Sequence, residues 1–234
     1  MEIIAIKIKG SDQKVCDFLL PYVSLERREM LRRFRFSEDR LRSLFSELLI
    51  RTYAIEKWGI ANEDIDFVKN KYGKPALSGF PDCQFNITHS GQWVVAVFDT
   101  LPVRIDVEKV SQIDIAIADS FFSSLEKFQL NEQPEENKLS YFYKLWTLKE
   151  SYIKAIGRGL SIPLHSFSFD LTEDGISLQS TEENETRFFR QYVLDVEYEL
   201  AVCGLRPNLF PEKIHIRSWE DLVFRFQSLI SMYE

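Results

Sequence analysis

The sequence predicts an α+β protein built as a pseudo-dimer of two similar α/β half-domains with mainly antiparallel sheets. Three observations carry this expectation. Runs of helical pattern are followed by runs of strand pattern, that order occurs twice at an offset near half the chain, and the composition can fill a core. Of 234 residues, 45% are hydrophobic and 14% aromatic, including 19 Phe, far from the signature of disorder. The expected halves are 1–100 and 101–234. Each is small alone, so the two are expected to share a large apolar interface, which is where ligand sites concentrate. One α+β domain with a chance echo is the alternative, because the matching positions are few.

Each half opens with an alternating, β-branched segment, Ile3 to Lys9 and Val103 to Lys109, which reads as a strand. A helix start follows: Ser24-Leu25-Glu26 and Ser124-Leu125-Glu126 each offer a hydroxyl cap and an acid in the first turn. Next comes a longer helix. Leu41, Leu44, Phe45, Leu48 and Leu49 form a core-facing stripe that ends at Gly59, and Leu139, Phe142, Leu145, Trp146, Ile153 and Ile156 do the same before Gly157. Short strands close each half: Asp82 to Ile87 and Trp93 to Phe98, then Ser166 to Asp170, Arg187 to Val196 and Glu199 to Cys203.

Charge and motif content exclude several classes. With 29 Lys+Arg against 36 Asp+Glu, the net charge is −7, which argues against a general nucleic-acid coat. Apolar runs such as Trp93 to Phe98 are far shorter than the ~18 residues of a membrane span. The first nine residues alternate apolar with charged, so no export signal is read. Cys16, Cys83 and Cys203 form no C-x-x-C pair, and reduced thiols in a cytoplasmic protein are expected.

Five segments could carry chemistry. In Arg104-Ile105-Asp106-Val107-Glu108, strand alternation projects Asp106 and Glu108 together, about 7 Å apart, while Ile105 and Val107 face the core. Two carboxylates so placed repel unless a cation lies between them, and a hard divalent ion such as Mg²⁺ suits them. A solvated strand face with two acids is the common alternative. In Trp146-Thr147-Leu148-Lys149-Glu150-Ser151-Tyr152-Ile153-Lys154, Glu150 and Lys154 share a helix face. Such a pair is usually a surface ion pair, yet here Glu150 could supply a third carboxylate and Lys154 a phosphate contact. Gly157-Arg158-Gly159 follows as a turn beside another cation.

Asn86-Ile87-Thr88-His89-Ser90-Gly91 is expected to be a donor-rich turn between strands, suited to an anion. Ser90 lacks the G-x-S-x-G setting of a hydrolase nucleophile. Lys71-Tyr72-Gly73-Lys74-Pro75 reads as a turn whose aromatic ring and two lysines suit a purine nucleotide, with a solvated loop as the default alternative. From Glu26 to Ser43, seven arginines (27, 28, 32, 33, 35, 40 and 42) stand against four acids, a local basic excess that is often only solvated surface, although Arg is the residue that best matches phosphate.

Taken together, N-I-T-H-S, I-D-V-E and W-x-x-K-E-S-x-x-K, in this order and spacing, resemble the 4′-phosphopantetheinyl transferases of the Sfp-type class associated with nonribosomal peptide synthetases. The likeness runs from V-S-L-E-R-R-E through Y-G-K-P to L-A-V-C-G. It implies a monomeric, cytoplasmic enzyme with its active site between the halves. That enzyme transfers 4′-phosphopantetheine from coenzyme A to a serine of an apo peptidyl or acyl carrier protein, using Mg²⁺ or Mn²⁺ and releasing adenosine 3′,5′-bisphosphate. Neither nucleic acid nor membrane is an implied partner. By matching positions, Asp106, Glu108 and Glu150 look like the metal ligands, Lys154 like the pyrophosphate contact, and Glu150 and Lys154 like the catalytic pair. Thr88 and His89, with Arg27 and Ser43, would hold the 3′-phosphate end, Tyr72, Gly73, Lys74 and Pro75 would frame the adenine, and Val110 to Glu126 would face the carrier protein.

Two departures from the family pattern stand out. Arg104 takes the place of a usual Gly before I-D-x-E and could compete with a metal or assist the phosphates, and Met30 stands where relatives can carry Lys. Two other readings stay open on sequence grounds: a nucleic-acid or regulatory binding module using the Arg-rich helix, and a noncatalytic coenzyme A sensor.

Overall fold

A computed structural model describes residues 1–9, 13–71, 73–157, 162–173, 175–180 and 185–232. Tyr72, Arg158 and Gly159 of the sequence motifs lie outside the described residues. The chain divides into two compact units, Glu2–Thr100 with Ile214–Glu234, and Leu101–Lys213 with Met1.

The first unit runs β1 (Glu2–Lys7), α1 (Gln13–Leu19), α2 (Leu25–Leu31), α3 (Ser37–Trp58), β2 (Phe67–Lys69), β3 (Pro75–Leu77), β4 (Gln84–Ser90) and β5 (Trp93–Asp99). The second runs β6 (Arg104–Lys109), α4 (Ala118–Phe121), α5 (Ser124–Asn131), α6 (Glu135–Ile156), β7 (Ser168–Thr172), β8 (Gly175–Gln179), β9 (Phe188–Tyr192) and β10 (Tyr198–Gly204). The chain then contributes β11 (His215–Ser218) and α7 (Trp219–Ile230) to the first unit.

In the first unit the sheet order is β11-β1-β5-β4, with β1–β5 and β5–β4 antiparallel and β1–β11 parallel. Leu44, Phe45, Leu48, Leu49 and Ile55 of α3 pack with Ile4 and Ile6 of β1 and with Val94, Ala96 and Phe98 of β5. These sheet residues are alternate positions, so one face of each strand supplies them. In the second unit β6-β10-β9 is antiparallel, and Phe142, Leu145, Leu148, Tyr152 and Ile153 of α6 pack with Ala201, Phe169 and Phe122.

Helices α3 and α6 are both 22 residues long, and each stops at a left-handed glycine, Gly59 at φ 66° and Gly157 at φ 74°. A side chain there would meet open space, so the backbone conformation is what requires glycine. The doubled order of strand, helices and antiparallel strands is present.

Four expectations are corrected. Residues 214–234, assigned by sequence to the second half, return to the first: β11 pairs with β1 from Ile4↔His215 to Lys7↔Ser218, and Leu222 and Phe226 enter that unit's core. Asn86 to Ser90 is not a turn. It is strand, paired from Asn86↔Val97 to Ser90↔Trp93, and Gly91 and Gln92 alone form the loop, with Gly91 at φ 52°. The cap of α5 is Ser123, one residue before the expected Ser124; it forms a capping box with Glu126. Strands β1 and β9 are shorter than the segments Ile3 to Lys9 and Arg187 to Val196.

Candidate active site

Alternation along β6 places Arg104, Asp106 and Glu108 on one sheet face, and β10 aligns Cys203, Ala201 and Glu199 opposite them. Helix α6 lies over that face. The Lys154 ammonium sits 2.6 Å from Asp106 Oδ1 and 3.4 Å from the Ile105 carbonyl, and the Arg104 Nε donates to the Lys154 carbonyl at 2.8 Å. Asp106 is therefore no solvated strand acid: it is 3% exposed.

Glu150, one helical turn before Lys154, is half-buried. Its carboxyl is pushed above the usual glutamate range by burial and by the Asp106 charge, against the opposing pull of Lys154. Asp106, Glu150 and Lys154 are thus brought together. Glu108 is half-buried two positions along the strand, where its charge, after burial, helps raise the Tyr143 phenol. Register adds an acid that the sequence did not single out: Glu199 stands opposite Glu108, accepts a hydrogen bond from Ser140 Oγ and is pushed upward by burial.

The Asp106, Glu108 and Glu150 donors are all carboxylate oxygens, the chemistry that a hard divalent cation takes and a thiophilic one does not. Among the described residues no group of three His, Cys, Asp or Glu side chains stands in metal-ligating geometry. The Lys154 ammonium is the cation seated on Asp106.

Arg104 makes main-chain contacts that neither sequence expectation included. It is 6% exposed, and its guanidinium donates to the carbonyls of Lys154 and Val103. Burial, with a contribution from Arg187 against that of Cys203, pushes its pKa down to about 10.

The remaining expected residues lie in the first unit. Arg27, on α2, donates through Nε to Glu47 at 2.9 Å and through Nη1 to Ser43 Oγ at 2.7 Å, so Arg27 and Ser43 are adjacent. Glu47 also accepts from the Ser24 N–H at 2.7 Å and from Arg51 Nε at 2.8 Å. Burial would raise its carboxyl, but Arg51, the Ser24 N–H and Arg27 together hold it below the usual range. Sequence reasoning missed Glu47, although an acid between Leu44 and Leu48 on an apolar stripe was a usable signal.

Thr88 and His89 are neighbours in β4 and so leave opposite faces of the sheet; Thr88 is buried and His89 exposed. Gly73 and Lys74 close the β2–β3 turn, with the Gly73 N–H on the Asn70 carbonyl at 2.9 Å and the Lys74 N–H on Asn70 Oδ1 at 3.0 Å, and Pro75 begins β3. Lys69 in the same hairpin contacts Glu26 on α2. Met30 is half-buried, and Arg28 beside it is committed to the Val23 and Pro21 carbonyls.

Comparison with known proteins identifies the family. Residues 102–203 match the family model "4′-phosphopantetheinyl transferase superfamily", and residues 11–100 match "4′-phosphopantetheinyl transferase, N-terminal". The chain is 42% identical to the Bacillus subtilis 4′-phosphopantetheinyl transferase ffp, over 90% of this chain and 94% of that one. It is 40% identical to 4′-phosphopantetheinyl transferase Sfp of B. subtilis strain 168 (87% and 91%) and 38% identical to psf-1 of Bacillus pumilus (98% and 100%). No helix among the described residues is long and apolar enough to cross a membrane. On this similarity the chain belongs to the 4′-phosphopantetheinyl transferases, enzymes that move phosphopantetheine from coenzyme A to carrier proteins.

Proposed function

We propose that the acids and the lysine under α6 are where the coenzyme A pyrophosphate is cleaved. The observation that carries this reading is the convergence of Asp106, Glu150 and Lys154, with Nζ 2.6 Å from Asp106 Oδ1 and the Glu150 carboxyl perturbed by the Asp106 charge. Asp106, Glu108 and Glu150 would hold Mg²⁺ or Mn²⁺, which supplies charge neutralisation at the pyrophosphate when bound. Lys154 leaves Asp106 to meet a pyrophosphate oxygen, a short movement for a flexible four-carbon stem.

The acceptor is the hydroxyl of a carrier-protein serine. Its oxygen bonds to the phosphorus that bears pantetheine, the bond from that phosphorus to adenosine 3′,5′-bisphosphate breaks, and Glu150 takes the hydroxyl proton. A carboxylate bound to Mg²⁺ has a lowered pKa and is a weaker base, so the two roles given to Glu150 compete, and turnover of its Gln variant decides between them. In the first unit, Arg27, Ser43, Thr88 and His89 are assigned to the 3′-phosphate, and because the Thr88 and His89 side chains leave opposite faces of β4, one of those two would meet the phosphate through its main chain. Tyr72, Gly73, Lys74 and Pro75 are assigned to the adenine. The carrier faces the segment from Val110 to Glu126, where Ile117 is 44% exposed and Phe128, just beyond on α5, is 64% exposed. A cytoplasmic monomer acting on peptidyl or acyl carrier domains completes the reading.

The test is to weigh an apo peptidyl carrier protein by mass spectrometry after incubation with this chain, coenzyme A and Mg²⁺. A phosphopantetheine increment that disappears with Asp106→Ala supports the assignment. Glu150→Gln is expected to bind coenzyme A normally and to lose turnover by about 10²–10⁴-fold; unchanged turnover removes Glu150 as the base.

A further inference from the structure

We infer that Arg104 is a positioning residue that sets the ammonium of Lys154, an inference that rests on the reading of Lys154 as the pyrophosphate contact. An α-helix leaves its last carbonyls without helical partners. At the end of α6 the Gly157 N–H takes the Ile153 carbonyl at 3.0 Å, and the next carbonyl, that of Lys154, accepts from Arg104 Nε at 2.8 Å. The guanidinium is itself fixed, because its Nη1 donates to its own neighbour's carbonyl at Val103 and its backbone is paired with Cys203 of β10. Two positions along the same strand face, Asp106 holds the other end of the same residue through Nζ.

Lys154 is therefore gripped twice by β6, once at its main chain by Arg104 and once at its side chain by Asp106. The second grip must be released when a phosphate arrives, whereas the first need not be. Arg104 is almost sealed from solvent, so it is not itself a phosphate ligand. Its effect is to fix where the lysine stem begins, which limits the rotamers from which the ammonium must find the pyrophosphate. A buried cation at a helix C-terminus is also favoured by the helix dipole.

The test uses the full chain with Arg104→Met, which keeps the stem and removes the donors, and Arg104→Lys, which restores one donor. In the chain alone, hydrogen exchange at residues 153–157 is expected to quicken with Arg104→Met and to recover with Arg104→Lys. Coenzyme A affinity by calorimetry is expected to fall about ten-fold with Arg104→Met, with kcat nearly unchanged and KM raised, and with no further fall when Lys154→Ala is already present. An equal fall in both backgrounds, or exchange that does not change, overturns the positioning role. If Lys154→Ala by itself leaves coenzyme A affinity intact, the reading of Lys154 is what fails, while the exchange result still decides the clasp.

Discussion

Glu47 in the first unit and Glu126 in the second are both sealed from solvent, and both close the entrance of a short helix by accepting the N–H of its capping serine, Ser24 at 2.7 Å and Ser123 at 2.8 Å. Each also meets a cation on a long helix, Arg51 of α3 or Lys149 of α6. There the likeness stops. The Lys149 ammonium is fully buried and its three protons have three acceptors: Glu126 and the carbonyls of Leu164 and Phe167. Glu47 carries a second guanidinium, Arg27, whose side chain is 27% exposed. The same device is closed in one unit and open in the other. A buried acid with one cation fixes a fold, and with two it can also present one of them outward.

The largest effect is expected where the network is closed. Lys149→Met leaves Glu126 as an uncompensated buried charge and is expected to cost about 3–5 kcal/mol in urea unfolding, partly recovered by Glu126→Gln in the same chain. Coenzyme A affinity of the folded variant should stay within about two-fold; a large loss of affinity would break the distinction between the two networks.

Glu47→Gln is expected to cost somewhat less, about 2–4 kcal/mol, because Arg51 keeps Asn62 and the Ile65 carbonyl as acceptors. Unlike Lys149→Met it should weaken coenzyme A about ten-fold, as Arg27 loses its support. Calorimetry showing no change would remove Arg27 from the 3′-phosphate assignment.

The capping serines sharpen the contrast at smaller scale. Ser24→Ala and Ser123→Ala should each cost about 1 kcal/mol, but only Ser24→Ala should also lower coenzyme A affinity, since Ser24 Oγ donates to Glu47 at 3.1 Å.

The smallest effect is a pH dependence. The folded Glu47 carboxyl lies below its ordinary value, so its contribution is complete above that value and is lost as pH falls through the depressed one. The gap in melting temperature between the parent and Glu47→Gln should therefore narrow from about pH 6 to about pH 3. A gap that widens would contradict the ion-pair account of Glu47.

Much of this architecture was legible before any coordinates. The stripes from Leu41 to Leu49 and Leu139 to Ile156, each closed by a glycine, specify two long helices because period and terminator agree. The alternation of Asp106 and Glu108 against Ile105 and Val107 likewise holds in β6. The segment Asn86 to Ser90 misled because Asn, Thr, His and Ser are common in turns, while its true state depends on β5 alongside it: Thr88 pairs with Val95 and His89 with Val94. That pairing also separates the two side chains onto opposite faces. Glu47 looked like an ordinary helix residue, because an i, i+4 acid–base pair such as Glu47–Arg51 reads the same in sequence whether water or protein covers it, and Lys149 finds its partner, Glu126, on a different helix.

The sequence by itself determined the class, the doubled order of elements, the strand that carries the acids and the helix that carries Glu150 and Lys154, since periodicity, capping and termination act over a few residues. Only the tertiary structure decided that His215–Ser218 pair with the first strand and carry α7 back to the first unit, that Glu199 stands beside Glu108, that Arg104 holds the end of α6 and that Asp106 is covered by that helix. Each of these is a pairing of segments distant along the chain, fixed by which faces can be buried together and which polar groups then find partners.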